Sequence, residues 1–434
     1  MKAVSNPTAD LLHSFDNPNE MTRNRRRALF TIGFGEFVDG YDIIVIGGAL
    51  LQLKEVFHLD TSETGALPAV AFVGTAIGAA VFGTLTDRVG RRTVFTFTLI
   101  AFIVFSLLSA IVTDVQMLFV IRFLVGLAIG ADITASMSFL AEISPRSSRG
   151  RWTGSLPNVA WSIGALCALL TDFVLYSTAG GSAWRWMLGV AAIPALILIY
   201  FRRALPESPR WLLLKGRFPE ALEAFRTLGM VVPETFPQTA PQVEARAQER
   251  QPEVGSYIKM FRRPNTGRAL LVVLIMGLAP FAGGGASIMA PYAFSQLGHL
   301  SDAVSVLAGG IFWAGCAVGT FIGWKATDRI GRIRLLLIGF IGQAVVYVLM
   351  AFLYHAAPAM LLPLYFLVGV LQYIENVAIW SLVGELLPTA IRGRAQGAAH
   401  CMERVALAVT VYLFPTILAS YGFRDSAVIF AICG

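Results

Sequence analysis

Long apolar runs separated by short polar loops fill nearly the whole chain. A helix crossing a ~30 Å hydrocarbon core needs roughly 20 apolar residues. Six runs of that order precede a long polar stretch, near 28–53, 64–86, 93–112, 116–140, 152–176 and 184–201. Six more follow near 268–293, 302–324, 333–354, 359–383, 395–419 and from 424 onward. The last is too short to cross before Gly434, so the natural C-terminus is expected to lie beyond it.

The loops repeat. Asp87-Arg88-Val89-Gly90-Arg91-Arg92 returns as Asp328-Arg329-Ile330-Gly331-Arg332-Ile333, and Glu142 stands before Arg149-Gly150-Arg151 as Glu385 stands before Arg392-Gly393-Arg394. The offsets, 241 for the aspartates and 243 for the glutamates, nearly agree. The chain therefore reads as an all-α polytopic membrane protein, a twelve-helix bundle of two pseudo-symmetric six-helix halves with a truncated last helix. Its predicted parts are an N-terminal tail (1–27), an N-terminal half (28–203), a linker (204–267) and a C-terminal half (268–434).

Composition agrees: 56% of 434 residues are hydrophobic and only 14% charged, more apolar material than a soluble core uses. The formal charge of +7 could attract nucleic acid, but its distribution follows topology. Of 34 Lys and Arg, 29 fall in the tail, the linker and alternate loops, so that side and both termini are expected to be cytoplasmic, in a bacterial inner membrane. Cys167, Cys316, Cys401 and Cys433 lie in apolar runs without metal or disulfide spacing, so no metal and no cofactor is expected. The linker has an amphipathic segment, Phe218 to Leu228, then prolines at 233, 237 and 241 and a basic tail, with too few apolar residues for its own core.

The duplicated charges predict a latch at helix ends. Gly83 would allow close helix approach, Gly90 a tight turn, and Asp87, Arg91, Glu142 and Arg149 would cross-link neighbouring ends; Asp328, Arg332, Glu385 and Arg392 would form the second copy.

Charges inside the runs predict a transport site, because an ionisable side chain in hydrocarbon costs several kcal/mol unless it is paired or wet. Span one carries Glu36, Asp39 and Asp42 along one flank, and Arg122 of span four falls at the depth of the two aspartates. An aspartate held ionised by Arg122 in one state, and protonated when that partner withdraws, would couple transport to protons. Glu403 and Arg404 lie near the midplane, where substrates of such bundles sit. Asn158, Trp161, Tyr292, Gln372, Glu375, Asn376 and Trp380 would line the cavity with them, and Asp132, Asp172, Gln343 and Tyr373 are further polar groups within the runs.

The loop G-x-L-x-D-x-x-G-R-R (Gly83, Leu85, Asp87, Gly90, Arg91, Arg92) resembles the signature of the major facilitator superfamily. Pro206-Glu207-Ser208-Pro209-Arg210-Trp211-Leu212, Arg122-x-x-x-Gly126-x-x-x-Gly130, and Trp380 through Glu385 to Arg392-Gly393 look like its sugar-porter and metabolite–proton symporter branch. The resemblance implies one central site alternating between the two sides of the membrane, with Asp42 and Arg122 in proton coupling. Asp39 begins an Asp-Gly-Tyr-Asp string similar to that of the aromatic-acid symporters. Sugar porters carry a Gln pair in span seven, and Leu278 to Gly285 has none. The resulting expectation is a monomeric proton symporter importing a small organic acid, such as an aromatic or pyridine carboxylate. A sugar or polyol symporter, a passive uniporter and a nutrient sensor are the alternatives. Scattered histidines without HExxH or Gly-x-Ser-x-Gly, and the lack of a phosphate-cradling loop, exclude an enzyme or an ATP-driven pump.

Overall fold

A computed structural model describes residues 21–145, 151–230, 266–297, 300–386 and 389–433, which form helices and no strand. Span three, Arg91–Ile111, shows how the sequence makes a membrane helix. Phe97, Ile100, Val104, Leu107 and Ile111 recur every three or four residues and are exposed, while Phe95, Leu99, Phe102, Ser106 and Ser109 of the opposite face are buried. An apolar stripe of this length facing outward belongs against lipid. Nine helices among the described residues are long and apolar enough to cross a membrane.

Span one (Arg23–Val56) is different: it is buried nearly all round, which is how it tolerates three acids. Its neighbours are span two (Thr61–Val89), span four (Val115–Ile143), span five (Leu156–Thr178, after a π-turn over Arg151–Ser155) and span six (Ala183–Val190 and Ala192–Arg202). Asp60 opens span two with a reciprocal capping box to Glu63, Asp114 caps span four, and Ser301 caps the helix Asp302–Ile330.

The C-terminal half repeats this plan with spans eight (Asp302–Ile330), nine (Arg332–Ala356) and ten (Leu361–Leu386). Span seven departs from the single run read from the sequence. It is Thr266–Leu278, a 3-10 turn Ala279–Ala282, then Gly284–Ile288 and Ala290–Ser295, because Pro280 removes a backbone donor and Gly283 takes φ +144°. Spans eleven and twelve are two helices within Thr389–Cys433 that meet at a kink at Gly422, where φ is +72°.

Glycines carry the internal symmetry into packing. In the pair of spans two and four, a Cβ at Gly74, Gly78, Gly126 or Gly130 would collide with the main chain of the facing helix; in the pair of spans eight and ten, Gly315, Gly319 and Gly369 are held the same way. Gly74 and Gly315, and Gly78 and Gly319, are 241 residues apart, and Gly126 and Gly369 are 243 apart, the offsets of the loop charges. Gly90 (φ +101°) and Gly331 (φ +91°) are likewise equivalent turns. The halves meet where span two packs on span eleven and span five on span eight.

The linker helix forms over Phe218–Leu228, with Phe218, Ala221, Phe225 and Leu228 buried. The first three of these pack on a short helix, Pro209–Leu214. Its C-terminal carbonyls of Thr227 and Leu228 accept Asn24 and Thr22 at the start of span one. Residues 231–265, with the Pro-rich turns, lie outside the described residues.

Candidate functional site

Arg122 of span four reaches span one and donates to the Asp42 carboxylate at 2.9 Å and to the Asp42 carbonyl at 3.0 Å. Ser106 of span three adds a long contact at 3.4 Å. Both charges are sealed, with side-chain exposures of 1% and 2%, so water screens neither.

A second buried pair escaped the sequence reading. Arg202, at the end of span six, forks onto Asp132 of span four at 2.5 and 3.0 Å, and also donates to Ser136. Thr98 and Ser136 donate to the same carboxylate, and the guanidinium lies over the Phe95 ring. By sequence Arg202 is one more basic residue at a helix end; the signal that was present is Asp132 with Ser136 one turn on in an apolar run.

Between the halves stands a cluster drawn from spans one, five, ten and eleven. The Arg404 guanidinium lies 4.8 Å over the Trp161 ring. Glu36 is within electrostatic reach of Arg404, Asp132, Arg202 and Glu403, and Asp39 of Asp132, Glu36, Arg202 and Arg404. His400 stacks on Trp380 at 4.0 Å and stands 3.6 Å from Glu403. Gln372, Asn376 and Trp380 follow one another at four-residue spacing along span ten. Among the described residues of this cluster, the buried atoms without a hydrogen-bond partner are the acceptors Glu36 Oε1, Asp39 Oδ2, Gln372 Oε1, Asn376 Oδ1 and Glu403 Oε2, against Arg404 Nε, a donor, and His400 Nδ1, which can donate or accept.

Other residues expected at the site point elsewhere. Glu375 accepts Gln343 of span nine at 2.7 Å, a link within one half. Asn158 donates to the Gly154 carbonyl of its own helix. Tyr292 lines a separate cavity of about 380 Å³ with Lys54, Glu55, His58 and Asp302 at the helix ends remote from Gly90. On that far face Tyr176 donates to Asp302, and Ser62 pairs with Tyr412, so both inter-half seams are bridged there.

On the Gly90 face, Arg91 bonds Asp87 at 2.9 Å and Glu142 at 2.7 Å. Gly83 does not serve the close helix approach expected of it, because an added Cβ there would meet nothing within 4 Å; that role belongs to Gly74 and Gly78. Pro206–Leu212, not expected at this cluster, joins it. Ser208 donates to Glu142, Trp211 donates to the Asp87 carbonyl, and Glu207 accepts the amides of Arg91 and Arg92. Arg149 and the side chains of Asp328, Glu385 and Arg392 lie outside the described residues; Arg332 opens span nine after Gly331.

Comparison with known proteins matches residues 28–434 to the family described as sugar (and other) transporter. The inner membrane metabolite transport protein YgcS of Escherichia coli is 30% identical over 410 residues, covering 94% of this chain and 87% of that protein. The glucose transporter GlcP of Staphylococcus epidermidis is 29% identical, covering 94% and 91%. The solved structure of the proton:xylose symporter XylE bound to 6-bromo-6-deoxy-D-glucose superposes with a TM-score of 0.76 at 22% identity, over 94% of this chain and 93% of that one. These are transporters, not enzymes, and this chain is an integral membrane protein acting on small molecules. With the fold of the major facilitator superfamily, it belongs to the sugar (and other) transporter family.

Proposed function

We propose that this chain is a proton-coupled symporter for a sugar or polyol, working by alternating access across the bilayer. The Gly90 face is cytoplasmic on this reading, because 29 of 34 basic residues belong to that side. Asp42 and Arg122 are the coupling pair: a sealed aspartate held by one arginine is released to bind a proton when the helices carrying the two charges part.

The observation that carries the substrate class is the surplus of unpartnered acceptors between the halves. A polyhydroxy solute brings several O–H donors and satisfies them, whereas buried acceptors left unmatched are costly. The carboxylate solute expected from the first span would instead bring further acceptors to a cluster already short of donors. The aromatic-acid reading therefore gives way to the sugar or polyol alternative, which the glucose- and xylose-transporting relatives also support.

Uptake into proteoliposomes under an imposed pH gradient, with labelled hexoses, pentoses, polyols and aromatic acids side by side, tests the proposal. A sugar or polyol should accumulate and a protonophore should abolish the accumulation. Accumulation of an aromatic acid alone, or of no solute in response to the gradient, refutes it.

A further inference from the structure

We propose that Asp172 of span five is a second proton-binding site, set between the Asp42–Arg122 pair and the far face. The inference rests on the proton-coupled reading above for its role, though the site itself is read from geometry. Asp172 has zero exposure, and neither carboxyl oxygen has a hydrogen-bond partner. Among the described residues no cation pairs with it. This sets it apart from Asp42 and Asp132, which are each closed by an arginine. An ionised carboxylate with neither cation nor donor is among the costliest groups to bury, and the neutral acid avoids that cost.

Its position is fixed by span one. A Cβ on Gly48 would strike the Asp172 carboxyl, so the two are in contact, and glycine leaves the room the carboxyl occupies. Gly48 stands six residues beyond Asp42 towards the far face, which at ~1.5 Å per residue places Asp172 ~9 Å further out than Asp42. The titratable groups around it are few. Tyr41 of span one is within electrostatic range of Asp172, Asp42 and Cys167, with its hydroxyl beside Thr171. Span eight meets this stretch through Gly309 against Leu169, and its Asp302 is taken by Tyr176, one turn beyond Asp172.

The step is a relayed proton transfer. A proton entering from the far face is held as the Asp172 O–H. When the Asp42–Arg122 pair opens, the Tyr41 hydroxyl, within range of both carboxyls, accepts the Asp172 proton and gives its own to an Asp42 oxygen, leaving Asp172 as a carboxylate that takes the next proton from the far face.

Infrared difference spectroscopy on the reconstituted chain tests the site without any substrate. At neutral pH the wild type should show the carbonyl stretch of a protonated, unbonded carboxylic acid, shifted in D2O. The band should vanish in Asp172→Asn, persist in Asp42→Asn and move in Asp172→Glu. A band unchanged in Asp172→Asn overturns the proposal, and the Glu variant guards against a folding defect. In gradient-driven uptake Asp172→Asn should lower accumulation about tenfold and alter its dependence on outer pH, with partial recovery in Asp172→Glu. Accumulation and pH profile matching wild type would remove the role in coupling. If the wild type itself ignores the gradient, the symport reading fails, while the infrared band still decides the site.

Discussion

The Glu207 carboxylate accepts the Arg91 amide at 3.0 Å and, through its other oxygen, the Arg92 amide at 3.1 Å. These are orphan donors at the start of span three, where the helix dipole favours an anion, and Gly90 leaves space for it because a Cβ there would meet Glu207 Oε2. The linker is thus bolted to the start of span three by charge placed on a helix end. Glu207→Ala should cost about 1 kcal/mol of stability and make the Gly90 face more accessible. Thiol labelling of single cysteines placed on the two faces measures the shift, and an unaltered labelling ratio would refute the latch role.

The Arg122–Asp42 pair leads to a sharper expectation. Removing one member of a sealed pair strands the other, at about 3 to 5 kcal/mol. Asp42→Asn and Arg122→Ala should each abolish gradient-driven accumulation and lower the melting temperature in detergent. Joint replacement, Asp42→Asn with Arg122→Met, should restore much of the stability and none of the accumulation. That split separates coupling from folding, because a purely structural pair would recover both.

Much of this arrangement was legible in the sequence because a membrane writes its constraint in runs and loops. The duplicated Asp-x-x-Gly-Arg motif announced both the repeat and the Gly90 and Gly331 turns. Acids in span one flagged the buried pair, since depth along a helix follows from residue count. Three things were not legible. Arg202 looks like any basic residue at a helix end until packing turns it onto Asp132. Glu375 and Asn376 are adjacent in sequence, yet Glu375 is spent on span nine, and only the rotation of span ten decides that. The break in span seven hangs on Pro280 and Gly283, which hydropathy alone passes over.

Glycine gives the cleanest contrast between motif and packing. Gly83 belongs to the loop signature but faces open space, while Gly126 sits against the Ala71 carbonyl. Gly83→Ala should be neutral or gain up to about 1 kcal/mol from helix propensity. Gly126→Val should lose about 1 to 3 kcal/mol or more through overpacking, and the equivalent Gly369→Val should do the same against Phe312. Thermal unfolding of the detergent-solubilised variants checks this order. A Gly83→Ala variant as damaged as Gly126→Val would mean that the glycine contacts do not set the helix spacing.

Arg404 is the cation that the cluster between the halves is built around, and its guanidinium plane lies on Trp161. Lysine keeps the charge but not the flat stacking surface. Such a stack is worth about 0.5 to 2 kcal/mol, so Arg404→Lys should raise KM for the transported solute by about 2-fold to 30-fold while gradient dependence survives through Asp42. Trp161→Ala should do the same, and the double variant should add little, because either change alone already removes the contact. Initial-rate uptake over a concentration series in the single and double variants measures this. Additive losses would place Arg404 and Trp161 in separate roles, and an unchanged KM in both would move the solute away from this cluster.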